Sequence, residues 1–170
     1  MSATTPQRHD VPPREAWPEP ETQTAAGIAL TDLIIATFRL NGRLMETAQG
    51  MAAEGDLTAA WWQVIGGVLD EPRTVADIGR RMGMTRQGVQ RIADLLVDRG
   101  LAEYRPNPAH RRSNLLACTE AGYWAVRQIS LAQHPWADRV GTAVGTDKLR
   151  AALDTMQRLT NVLESEDSDG

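Results

Sequence analysis

Five polar residues within two helical turns carry the clearest chemical signal in this chain: Thr85, Arg86, Gln87, Gln90 and Arg91. Arginine forks onto O6 and N7 of guanine, and glutamine pairs with N6 and N7 of adenine. Such side chains at the start of one helix can therefore hydrogen-bond base edges in a duplex major groove. The spacing of Val89, Ile92, Ala93 and Leu96 predicts a helix over 86–99 with these four on its core face. That leaves the polar set on or near the opposite face, with no acid before Asp94. The Thr85 hydroxyl and the helix N-terminus suit a phosphate contact. Taken alone, an ordinary solvated face accounts for these residues as well as nucleic acid does. A second basic group, Arg111 and Arg112 with His110 beside them, follows in a proline-containing stretch over 106–112.

The elements that must position these groups can be read on either side of them. Thr74 with Asp77 three residues on is a capping-box-like start for a short helix ending near Met82. Gly83, Met84 and Thr85 then form a tight turn with a new N-cap, and Gly100 closes the longer helix. Two helices joined by a three-residue turn containing glycine predict a helix-turn-helix. Residues 101–105 and 113–119 read as two strands around the 106–112 loop, a wing whose tip carries the arginine pair. Arginines on such an arm can enter the minor groove or clamp flanking phosphates.

Flanking this centre, helices are expected over 27–51, 58–69 and 119–133, the third interrupted near His134 and Pro135, and a last one over 146–164. The first is apolar on too many sides for a surface helix, so it is buried in a core or shared with another chain. The last carries Leu149, Leu153, Met156, Leu159 and Leu163 on one stripe. Residues 1–24 hold five of the nine prolines and show no apolar periodicity, which predicts a disordered tail. Residues 165–170 form a short acidic tail. The fold class expected is mainly α with a small two-stranded wing.

Charge supports the same centre. The chain has a net charge of −4, yet residues 73–112 hold nine arginines against four acids, leaving +5 there and −9 elsewhere. A basic middle in an acidic chain marks a local polyanion site. Lys148 is the only lysine. No apolar run approaches the ~20 residues of a membrane helix, the N-terminal stretch lacks a signal-peptide core, and a single cysteine, Cys118, forms no internal disulfide. A cytoplasmic chain is expected. The three histidines, His9, His110 and His134, are far apart, and metal-ligand spacing, a phosphate-cradling glycine loop and a nucleophile elbow are all missing, so neither catalysis nor a cofactor is expected.

Residues 57–122, from LTAAWWQVIGGVLDEPRTVADIGRRMGMTRQGVQRIADLLVDRGLAEY through the wing segment RPNPAHRRSNLLACTEAG, resemble the multiple-antibiotic-resistance (MarR) family of bacterial regulators. The order of elements over about 27–164 fits as well. The resemblance implies a winged helix-turn-helix over 57–122 within a domain of 25–164, with 27–51 and 123–164 supplying dimerisation helices. It places Thr85, Arg86, Gln87, Gln90 and Arg91 at the major groove. Arg112 matches the arginine of the family's Asp-x-Arg wing motif, while the motif's aspartate is replaced by His110. A charged histidine there would add to phosphate attraction and make wing affinity depend on pH.

The resemblance further implies a homodimer on a pseudo-palindromic operator, acting as a repressor that a small aromatic or lipophilic ligand relieves. Trp61, Met45, His134 and Trp136 are the candidates for lining a ligand crevice, although packing at a dimer seam accounts for Trp61 more simply. Cys118, near the end of the second wing strand, reads as a buried structural thiol rather than an oxidant sensor. The alternative is a winged-helix module that binds protein partners and no specific DNA.

Overall fold

The structure, a computed structural model, describes residues 13–110 and 112–169, with side chains described up to residue 166. The chain divides into two units, Met1–Gly42 and Arg43–Gly170. In the first, a single 3-10 turn at Arg14–Ala16 precedes helix α1, Ala25–Ala52, which runs on into the second unit. Thr24 opens α1, its Oγ1 accepting from the Gly27 N–H at 3.1 Å. Ile28, Ile35 and Phe38 are all more than half exposed.

In the second unit, helices α2 (Ala59–Gly66), α3 (Val75–Met82) and α4 (Arg86–Asp98) surround one apolar core. Threonine begins each of them. The hydroxyl oxygens of Thr58, Thr74 and Thr85 accept from the N–H groups of Trp61, Asp77 and Gly88, satisfying donors that a helix start otherwise leaves open. Val64 and Ile65 of α2, Ile78 of α3, and Val89 and Leu96 of α4 are fully buried against one another. Helix α2 stops at Gly66, three residues short of the expected end, and a turn carries the buried Val68 and half-buried Leu69 onward.

The wing contains one strand more than the periodicity shows. Strands β1 (Arg73–Thr74), β2 (Ala102–Arg105) and β3 (Leu115–Cys118) form an antiparallel sheet in the order β1-β3-β2. Arg73 pairs with Leu116 and Thr74 with Leu115, while Tyr104 pairs with Leu116 on the other side. A two-residue strand has no alternation to detect, so only its distant partner defines it.

Helix α5, Glu120–Val144, is continuous through Pro135, where an interruption was expected. Proline removes one i→i−4 hydrogen bond, freeing the Leu131 carbonyl. Leu131 is 68% exposed, so that turn is open to solvent, where a freed carbonyl costs little. Helix α6, Thr146–Asp169, follows Gly145 and continues past the expected end at 164. Its stripe residues Leu149, Leu153, Met156 and Leu163 are exposed in the single chain.

Candidate nucleic-acid interface

The turn between α3 and α4 is set by two glycines. Gly83 adopts φ 63°, the left-handed conformation glycine enters without steric penalty, and so ends α3. At Gly79 an added Cβ would lie 2.8 Å from the Met84 carbonyl oxygen, so only glycine lets the turn fold this tightly onto α3. The Met84 N–H donates to the Gly79 carbonyl at 2.9 Å across the same contact. Asp77 is held by Thr74 and by its ion pair with Arg80. The Thr74 hydrogen bond and Arg80 keep its carboxyl below the usual carboxylate range despite partial desolvation.

This turn presents α4 as the spacing predicts. Val89, Ile92, Ala93 and Leu96 are buried, and Thr85, Arg86, Gln87, Gln90 and Arg91 are all exposed. The loop after β2 is organised by Asn107, whose Oδ1 accepts from the Ala109 N–H and whose carbonyl accepts from the His110 N–H. His110 and Arg112 are exposed; Arg111, the other wing arginine expected, lies outside the described residues. Arg86 and Gln90 of α4 meet Tyr104 of β2 and Arg112 of the wing at one cleft of about 240 Å³. Thr85 and Arg86 also border a shallower hollow with Gly79, Arg80 and Met84. Gln87 and Arg91 share the helix but not the cleft.

Ion pairing sorts the arginines of the basic centre into two groups. Arg73 is forked onto Asp70 at 2.5 and 2.8 Å and reaches Glu71 at 2.7 Å. Arg80, Arg81, Arg99 and Arg105 also pair with acids. Arg86, Arg91 and Arg112 have no acidic partner among the described residues. Among the described arginines of the basic centre, those without an acidic partner are therefore on the exposed face of α4 and on the wing, a distribution composition alone does not disclose.

Two residues of this site were not among those expected. Tyr104 and Asp94 close a triangle with Gln90: the Gln90 Nε2 donates to Asp94 Oδ1 at 2.9 Å and to the Tyr104 hydroxyl at 2.8 Å, and that hydroxyl donates to Asp94 at 2.8 Å. Burial and the bond to Asp94 push the Tyr104 phenol up to about 12. The signal that could have found it is strand alternation. Ala102 is buried against α4, so Tyr104, two residues on, faces the same way.

The four residues expected at a ligand crevice lie on three helices, Met45 on α1, Trp61 on α2, and His134 and Trp136 on α5. The Trp61 ring lies under the Arg99 guanidinium, 4.7 Å from its centroid, and the Met45 sulfur accepts from Gln63 Nε2 at 3.8 Å. On α5, His134 is exposed and Trp136 half-buried. Cys118 is buried, as expected; desolvation first, and then Glu120, push its thiol up to about 11.

A sequence model of the MarR family matches residues 55–113, from just after α1 through the helix-turn-helix into the wing. The chain belongs to the MarR family. An uncharacterized protein of Mycobacterium tuberculosis is 40% identical over 134 residues, which cover 79% of this chain and 94% of that protein. Among solved structures of similar fold, the transcriptional repressor CouR bound to a 23-mer DNA duplex is 25% identical with a TM-score of 0.62, covering 81% of this chain and 99% of that one. CouR from Rhodococcus jostii RHA1 bound to p-coumaroyl-CoA is 19% identical with a TM-score of 0.65, covering 76% and 92%. The MarR fold and family are those of transcription regulators. Among the described residues no helix is long and apolar enough to cross a membrane.

Proposed function

We propose that this chain is a sequence-specific, double-stranded-DNA-binding transcription regulator that acts as a homodimer on a pseudo-palindromic operator. The observation that carries the reading is the segregation of Arg86, Arg91 and Arg112. Among the described residues, Arg73, Arg80, Arg81, Arg99 and Arg105 of the basic centre are paired with acids, while these three stay open on α4 and the wing. The DNA-bound relative at 25% identity supports it. Arg86, Gln87, Gln90 and Arg91 set sequence preference from the major groove, with Thr85 at a phosphate, while Arg112, with Arg111 and His110, adds affinity from the wing. Exposed apolar residues on α1 and on α6 support dimerisation. As in the family, the regulator is a repressor relieved by a small aromatic or lipophilic ligand, for which Trp61, Met45, His134 and Trp136 are the candidate residues.

The test is selection of binding sites from a random duplex library by the full chain at about 150 mM salt. Enrichment of an inverted repeat with half-sites about one helical turn apart, ~34–36 Å, is the expected result. Salt-labile binding without enrichment would overturn the reading in favour of a protein-interaction module.

A further inference from the structure

The Gln90 amide is not free to turn either end toward a base. Its nitrogen faces the Asp94 carboxylate and the Tyr104 hydroxyl oxygen, and the reverse orientation would set the amide oxygen against a carboxylate. The Tyr104 hydroxyl donates its hydrogen to Asp94 at 2.8 Å, which leaves its lone pairs turned to the Gln90 amide nitrogen, 2.8 Å away. Gln90 Oε1 has no hydrogen-bond partner among the described residues, and Gln90 borders the cleft shared with Arg86 and Arg112. Asp94 lies one helical turn after Gln90, and Tyr104 comes from β2, so helix and wing together hold the amide.

We propose that Asp94 and Tyr104 are positioning residues that fix Gln90 as a hydrogen-bond acceptor toward DNA, so that the base it reads carries a major-groove amino group. Adenine, through N6, and cytosine, through N4, offer one; guanine and thymine present only acceptors at the corresponding edge. This narrows the two-point adenine pairing expected of a free glutamine to a single bond. It rests on the reading of the chain as a sequence-specific DNA-binding regulator.

Sites are selected from a random duplex library by the wild type, Gln90→Ala and Tyr104→Phe. The half-site position whose preference disappears in Gln90→Ala is adenine or cytosine in the wild type, favoured at least about tenfold over guanine and thymine. Tyr104→Phe lowers that discrimination below about threefold at this position alone and leaves the salt dependence of binding unchanged. In the DNA-free protein, the Gln90 side-chain amide protons exchange slowly by NMR and move on Tyr104→Phe. An enriched site at which Gln90 reads guanine or thymine, or an unchanged preference in Tyr104→Phe, overturns this inference and leaves the regulator reading intact. Absence of any enriched site for the wild type overturns both. Gln90 amide protons that exchange as fast as those of solvated glutamines overturn the lock itself.

Discussion

Arginines that look alike in composition differ in what surrounds them. Arg73, only 14% exposed, is tied to Asp70, Glu71 and the Gly67 carbonyl, and so holds the chain between α2 and α3. Arg112 has no such tie, and under the proposed function its guanidinium is spent on phosphate. Arg112→Ala is then expected to weaken binding evenly across sequences and to lower the salt slope by about one. Arg91→Ala is expected to cost ~1–3 kcal/mol on the best site and to relax one position of it. Fluorescence titrations of two operator variants over a salt series separate the two patterns, and identical behaviour of both variants would remove the division between reading and anchoring. The positions of these residues are legible from spacing alone. Pairing is legible only in part: Arg73, Arg80 and Arg105 meet acids within three residues, but Asp56 reaches Arg99 across 43 residues and no local pattern records it.

At the scale of elements, the helix-turn-helix is the most legible part of the sequence, because its determinants are local. Thr74, Gly83, Thr85 and the apolar spacing of α4 each act within four residues. The two turn glycines differ in what they tolerate. Gly83→Ala meets no neighbour and is expected to cost only ~1–2 kcal/mol, for the left-handed backbone. Gly79→Ala drives a Cβ into the Met84 carbonyl, so the start of α4 must shift and DNA affinity should fall further than urea stability does. Parallel unfolding and binding titrations distinguish the two. Acid acts on the same segment. Asp70 and Asp77 are both held below the ordinary carboxylate range, chiefly by the hydrogen bonds from Arg73 and Thr74. Their contribution to stability is complete above the unfolded value near 3.8 and fades as pH falls through the lower folded values. The urea midpoint should therefore drop below about pH 4, and less steeply in Asp77→Asn. What periodicity misses here is non-local: β1 exists only because β3 pairs with it, and Pro135 is tolerated only because its turn faces solvent.

For the molecule as a whole, the exposed apolar residues at the two ends of the chain need an explanation that one copy does not provide. Phe38 on α1 is 72% exposed and Leu153 on α6 is 55% exposed. Under the proposed function a second copy covers them. Sedimentation equilibrium should give a dimer at micromolar concentration, and Phe38→Asp and Leu153→Asp should each move the population toward monomer while far-ultraviolet circular dichroism is retained. A wild-type monomer would refute this. The excess of apolar residues in the first helix is plain in the sequence, but its choice between a core and a second chain is not, since both demand the same residue types.

The burial of Cys118 has a practical consequence. A sulfur held in the core, with its thiol pushed up to about 11, is almost wholly protonated at neutral pH. Thiol-reactive dyes should therefore find no target in the native chain and one target after denaturation. A cysteine introduced at Ser113 would take a fluorophore selectively in the otherwise natural protein, and the wing could be followed by energy transfer to a labelled duplex.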